Sequence, residues 1–237
     1  EFEKGRAVQR SARRSEFKAA LVGYTNAGKS SLLRSLANAD EVFVEDRLFA
    51  TLDPLTREVQ LGENSKALVT DTVGFIRNLP HHLVASFRAT LEEAREADLL
   101  LHVIDANHGM WEEQRDVVNG VLAELELEHQ PQLCVFNKID LLAEPDLLAL
   151  QDRMASEGQE AVFVSTLQEH GVDPLKRALQ SHMRARRPLA QIHLSPSEGK
   201  LLAEIHEYGE VLDQRTIGEE LVLRARVGEK LAGRLRR

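Results

Sequence analysis

Apolar residues in this chain come mostly in short unbroken runs rather than in strict alternation. Residues 19–22, 67–70, 99–104, 133–136 and 161–164 read as strands buried on both faces. Segments of helical spacing separate them: 31–39, the stretch near 82–97, 111–127, 146–156 and 174–184. Strands that alternate with helices predict an α/β fold, a mostly parallel sheet covered by helices on both faces. Residues 56–61 alternate instead, which suits an edge strand. Arg186-Arg187-Pro188 marks a boundary. Beyond it the pattern predicts a strand at 192–194 and a helix starting at Ser195-Pro196-Ser197-Glu198 and running over 199–208. A half-buried strand over 221–227 completes a small α+β domain. The expected organisation is the end of a helical linker at 1–17, a main domain at 18–187 and the small domain at 188–237.

Composition narrows the class. With 237 residues and 43% hydrophobic content the chain can bury a substantial core. No apolar run approaches the roughly 18 residues of a membrane span, and no signal peptide is visible. The single cysteine, Cys134, sits in an apolar run, so no disulfide framework can form within the chain. These features fit a soluble cytoplasmic protein, expected to be a monomer. The first residue is Glu1 rather than methionine, so a longer parent chain is expected. Net charge is −8, which argues against indiscriminate nucleic-acid binding. Its distribution is uneven: both ends are basic and the middle is acidic. That pattern is read either as solvated helix surfaces or as a means of meeting phosphate.

Three motifs carry chemistry. Gly23-Tyr24-Thr25-Asn26-Ala27-Gly28-Lys29-Ser30 lies between a strand and a helix, with Ser31 next in that helix. It matches the P-loop pattern, in which glycines let backbone N–H groups wrap closely around phosphate at a helix N-terminus. Lys29 is expected to reach β- and γ-phosphates and the Ser30 hydroxyl to ligate Mg²⁺. Asp71-Thr72-Val73-Gly74 follows the strand at 67–70, 42 residues after Lys29. Asp71 can hold Mg²⁺ through water, and Gly74 lets its N–H approach the γ-phosphate. Asn137-Lys138-Ile139-Asp140 follows a later strand. Its Asp140 carboxylate can accept from guanine N1–H and the 2-amino group, donors that adenine does not present there. Asn137 is expected to tie the base to the P-loop, and the Lys138 stem to cover the ring. Ser165 and Thr166, after the last strand, are placed for a backbone N–H to reach guanine O6. The ligand expected is therefore GTP or GDP, hydrolysis is the expected reaction, and Asn137 with Asp140 argues against a P-loop ATPase.

These motifs in this order resemble the translation-factor-related P-loop GTPases. Within them, residues 23–30, Leu48-Phe49-Ala50-Thr51-Leu52-Asp53-Pro54 and Asp71-Thr72-Val73-Gly74-Phe75-Ile76 are similar to the HflX family. The resemblance covers residues 1–185 closely and 189–237 more loosely. It implies that Thr51 closes over Mg²⁺ and the γ-phosphate, with Thr56 as an alternative, and that 46–56 and 74–82 are switches I and II. It implies GTP-dependent binding to the large ribosomal subunit, through rRNA and protein. It also implies an additional N-terminal domain, of whose linker this chain holds the end. A GTP-dependent switch for a protein effector is the competing reading.

Two positions bear on rate. Phe75 stands where many GTPases carry the glutamine that orients the attacking water, and is expected to face the phosphate loop. Asn26 matches the asparagine that related GTPases use to help hold K⁺. Its other reading is a stabiliser of the loop turn. Unassisted turnover is expected to be slow. The neighbouring His81 and His82 lack further ligands at metal spacing, and the Glu112-Glu113 pair is read as a solvated helix face.

Overall fold

The computed structural model describes residues 17–37, 55–62, 65–75, 93–195, 197–218, 220–228 and 231. Residues 1–16, Thr51, most of both switch segments, His81, His82 and most of the helix expected near 82–97 lie outside them; residues 93–96 of that stretch are helical. The chain divides into two compact units, one ending at Ala178 and the other beginning at Leu179.

The first unit holds a six-stranded sheet. Its elements are β1 (Phe17–Gly23), α1 (Lys29–Ala37), β2 (Leu55–Gly62), β3 (Ser65–Asp71), β4 (Leu99–Asp105), α2 (Trp111–Glu124), β5 (Gln132–Asn137), α3 (Glu144–Ser156) and β6 (Ala161–Phe163). Helix α4 (Asp173–Ala185) follows. Strand order is β2-β3-β1-β4-β5-β6. β1 pairs in parallel with β3 and β4, β4 with β5, and β5 with β6; β2 alone runs antiparallel, against β3. The pattern follows from burial. β1 and β4 are buried at almost every position, so both faces require apolar side chains, whereas β2 alternates and its hydroxyl, charged and amide side chains lie toward solvent. From β1 the chain goes to one side for β3 and to the other for β4, a topological switch point at the C-terminal end of β1.

Two packed clusters cover one face. Ala20, Val22, Phe75, Leu100, Val118 and Leu122 pack beneath α2, and Ile104, Cys134, Phe136 and Met154 continue the core toward α3. Trp111 meets Phe136 edge-on at 5.2 Å, with the guanidinium groups of Arg115 and Arg153 over its ring. Glu112, at the head of α2, pairs with Arg153, so this glutamate is engaged rather than simply solvated.

The second unit holds β7 (Leu189–Leu194), α5 (Gly199–Tyr208), β8 (Glu210–Ile217) and β9 (Glu220–Arg226) in an antiparallel sheet of order β7-β9-β8. Ile192, Leu194, Leu223 and Ala225 pack against Ile205 of α5. Helix α5 begins at Gly199, later than the sequence suggests. Before it, Glu198 N–H donates to Ser195 O and Ser195 N–H donates to the Glu198 carboxylate. Strand β8 is absent from the sequence reading. Five of its eight positions are polar, and its pairing with β9 across Gly218, at φ 64°, makes it a strand.

An imidazole is buried in the sheet among apolar neighbours. His102, on β4 between Val22 and Cys134, is 1% exposed. Burial pushes its imidazole down to about 3, and the positive charges of Arg115 and Lys29 act in the same direction. An imidazole in the unfolded chain titrates near 6.5. Between these values the unfolded chain binds a proton that the folded chain refuses. Stability therefore falls as pH drops below about 6.5, by up to about 1.4 kcal/mol per pH unit, and the loss levels off near pH 3. His102→Leu is expected to move the acid-unfolding midpoint to lower pH, followed by circular dichroism.

Candidate functional site

Parallel β1, β3, β4, β5 and β6 all end on the same edge of the sheet, and every candidate residue described lies on that edge. β1 gives way at Gly23 to a loop that turns through Asn26, at φ 61°, and enters α1 at Lys29. Within it Ala27 N–H donates to Tyr24 O and Leu32 N–H to Gly28 O. The N–H groups of the first turn of α1 have no intrahelical acceptor and suit an anion. Ser31 lies in that turn. Lys29, 7% exposed, folds back over the loop and donates to Gly23 O and Tyr24 O, each at 3.0 Å. Burial pushes its amine down to about 8, against the opposing pull of Asp71.

At the tip of β3, Asp71 Oδ2 accepts from the Ser30 hydroxyl at 2.5 Å. A hydroxyl and a carboxylate in contact are hard oxygen donors of the kind Mg²⁺ takes beside substrate phosphates. Thr72 Oγ1 donates to Leu21 O at 2.5 Å. Thr25 N–H donates to Phe75 O and Phe75 N–H to Gly23 O, so the segment after Asp71 is stitched to the loop by two backbone bonds. Gly74 is held in a tight place. A Cβ there would stand 2.8 Å from Thr25 Cγ2 and 3.1 Å from Lys29 Nζ. The Gly74 backbone thus lies against the lysine amine.

Phe75 corrects one expectation. Its ring is not turned to the phosphate loop; it is 1% exposed and packs with Ala20, Val22, Leu100, Val118 and Leu122. The reason is the parallel bridge between Phe75 and Tyr24, which fixes the backbone as an added rung of sheet and sends the side chain to the core face. Thr56, the alternative switch threonine, is also engaged elsewhere. It lies on β2, and its hydroxyl shares a 2.8 Å bond with that of Thr70.

At the other end, Asn137 closes β5 and its Nδ2 donates to Ala27 O at 3.0 Å. Gly28, at φ 93°, leaves the space this amide occupies, since a Cβ there would collide with Asn137 Nδ2. Lys138 follows with left-handed backbone, φ 65° and ψ 32°. Its Nζ donates to Asn26 O at 2.9 Å and to Asp105 Oδ2 at 2.7 Å. Asp140 Oδ1 accepts from the Ser165 hydroxyl at 2.5 Å, which orients the carboxylate and leaves Oδ2 for a base. Ser165 Oγ in turn accepts Leu167 N–H, and Ser165 N–H is taken by Gly171 O. Of the two residues expected to offer a backbone N–H, Ser165 already has its own bonded within the loop and meets Asp140 through its hydroxyl.

Asp105 escaped the sequence reading, which ended its strand at residue 104. The signal was there: a carboxylate at the C-terminal tip of a parallel strand beside the switch point.

A sheet of this order, with its phosphate loop at the switch point and a base-reading loop two strands away, defines a P-loop GTPase domain. A family model described as 50S ribosome-binding GTPase matches residues 18–138. The chain is 43% identical to the GTPase HflX of Magnetococcus marinus, over 99% of this chain and 54% of that protein. It is 42% identical to the GTPase HflX of Escherichia coli, over 79% of this chain and 43% of that one. The chain belongs to the HflX family of these GTPases, and spans about half the length of the curated relatives it matches. Among solved structures, a GTP-binding protein from Sulfolobus solfataricus in complex with GDP superposes with a TM-score of 0.57 at 26% identity, covering 77% of this chain and 57% of that one. Era in complex with MgGDPNP and part of 16S ribosomal RNA shares the fold, with a TM-score of 0.61 at 22% identity over 70% of this chain and 56% of that one.

Restoring a glutamine at position 75 is expected to harm rather than help. Phe75→Gln loses a buried ring and buries an amide, a cost of about 3 kcal/mol, and GTP turnover measured by phosphate release does not rise.

Proposed function

We propose that the chain binds GTP along residues 23–31, Asn137, Lys138, Asp140, Ser165 and Thr166, and hydrolyses it to GDP and phosphate. The observation that carries this reading is the meeting of three groups at one end of the loop: the Lys29 amine, the Gly74 backbone and the Ser30–Asp71 pair. Lys29 is placed to exchange its two carbonyl acceptors for β- and γ-phosphate oxygens. Gly74 offers its N–H to the γ-phosphate, and Thr51 joins them from switch I. Ser30, Thr51 and Asp71 are the residues that would hold Mg²⁺, directly or through water, and a bound Mg²⁺ would supply positive charge beside the phosphates. Asp140, oriented by Ser165, reads the guanine edge. A site built on such hydrogen bonds discriminates against a base lacking them by about 10⁴ or more.

With Phe75 turned into the core, no side chain of this segment's described residues orients the attacking water. Unassisted turnover is then on the order of 10⁻⁴–10⁻² s⁻¹. K⁺ beside Asn26 is one source of the missing charge. The Asn26 carbonyl is held by Lys138, so the side chain is the group left to meet that ion. The large ribosomal subunit is the other source: the family description, 50S ribosome-binding GTPase, supports a ribosome-associated GTPase that acts there, in our reading as a cytoplasmic monomer. Residues 18–187 would be its GTPase domain and 188–237 a smaller second domain. Among the described residues no helix is long and apolar enough to cross a membrane.

Asp140→Asn is expected to move preference from guanosine to xanthosine nucleotides in calorimetric titration; an unchanged preference for GTP would mean that another residue reads the base. Phosphate release is expected to rise when large ribosomal subunits are added, and to be faster in K⁺ than in Na⁺. Equal rates in the two salts would remove K⁺ from the mechanism.

A further inference from the structure

The Lys138 ammonium has an anchor that lies in none of the nucleotide motifs. We infer that Asp105 is a positioning residue for the nucleotide. From the end of β4 it pins Lys138 across the phosphate loop, so that the lysine stem is fixed where the purine ring lies. The inference rests on the guanine-nucleotide reading above and adds a residue to it.

Asp105 is built into its place. It stands opposite Asn137 in the parallel register of β4 and β5, and the next N–H, that of Ala106, donates to Asn137 O at 2.9 Å. Its two carboxylate oxygens have separate partners. Oδ1 accepts Asn107 N–H at 3.1 Å in a local turn, and Oδ2 accepts the Lys138 amine at 2.7 Å. The same amine reaches Asn26 O at 2.9 Å. One ammonium thus joins three loops: the end of β4, the phosphate loop at its left-handed residue, and the base-reading loop.

A surface ion pair would carry little weight. Here the Asp105 side chain is only 16% exposed and that of Lys138 33%, and the lysine backbone is itself left-handed, an uncommon conformation for a non-glycine residue. Lysine is among the side chains that lose most rotamer freedom on ordering. Held at its tip before the nucleotide arrives, Lys138 loses little of that freedom on binding, and the Asn26 turn is held with it. Without Asp105 the amine keeps one neutral acceptor, and the ordering cost returns at the moment of binding.

Substitution can separate the two jobs of Asp105. Asparagine keeps an oxygen for Asn107 N–H while removing the charge that holds Lys138, and serine keeps a local acceptor but cannot reach the amine. Calorimetric titration of MgGDP into the 237-residue chain is the measurement, with thermal melting recorded for each variant. Asp105→Asn and Asp105→Ser are each expected to weaken GDP about tenfold with an unchanged melting temperature. Lys138→Met weakens it comparably. In the Lys138→Met background Asp105→Asn adds less than about a twofold further loss, because the contact through which it acts is gone. Losses that multiply in the double variant, or unchanged affinity in both Asp105 variants, overturn the assignment while the guanine reading stands. A chain of natural sequence that does not bind GDP overturns both.

Discussion

The contact on which the rest of the site depends is the bond from Asn137 Nδ2 to Ala27 O. It spans residues far apart in sequence and joins the loop that suits phosphate to the loop that reads a base. Each is held on one side by its strand, β1 or β5, and the strand between them, β4, sets their separation. The sheet thus fixes the distance between the two loops, and the Asn137 amide ties them together across it. Gly28 belongs to the same constraint, since any side chain there would displace the amide.

The parallel sheet was legible because burial on both faces leaves an unmistakable trace, runs of apolar residues with no alternation. The motifs were legible because phosphate and guanine demand particular atoms at particular spacings, and both demands act locally. Asp105 was not, because its role exists only after β4 and β5 are set side by side in register. Asp and Asn at the ends of neighbouring parallel strands carry no mark of adjacency in the chain. β8 was missed for a related reason. Its residues are largely polar, and only pairing with β9 makes it a strand.

Phe75 shows a different limit. Alignment to a motif places a residue after Asp71-x-x-Gly74, and by analogy it faces the nucleotide. Position in a motif does not set side-chain direction, however; the backbone bridge to Tyr24 does, and it sends the ring inward. The exchange has a structural benefit. A buried phenyl ring ties the start of switch II to the core beneath α2, where a glutamine amide would be left without partners. The bridge that sends the ring inward therefore also stabilises the junction between β3 and the phosphate loop.

Lys29 draws these observations together. Its amine is nearly fully buried, and burial alone would favour the neutral form, while Asp71 pulls toward the charged one. Two carbonyl oxygens of the loop accept from it, a satisfactory arrangement for an amine but a weaker one than phosphate would offer. Under the proposed reading, an incoming phosphate would meet a buried amine whose present acceptors are neutral. The loop does not need to assemble around the ligand; it needs only to hand the amine over. That hand-over requires the loop to keep its shape when Lys29 lets go of Gly23 and Tyr24. The bonds that keep it are those from the strand ends: Asn137 to Ala27, Lys138 to Asn26, and Phe75 to Gly23.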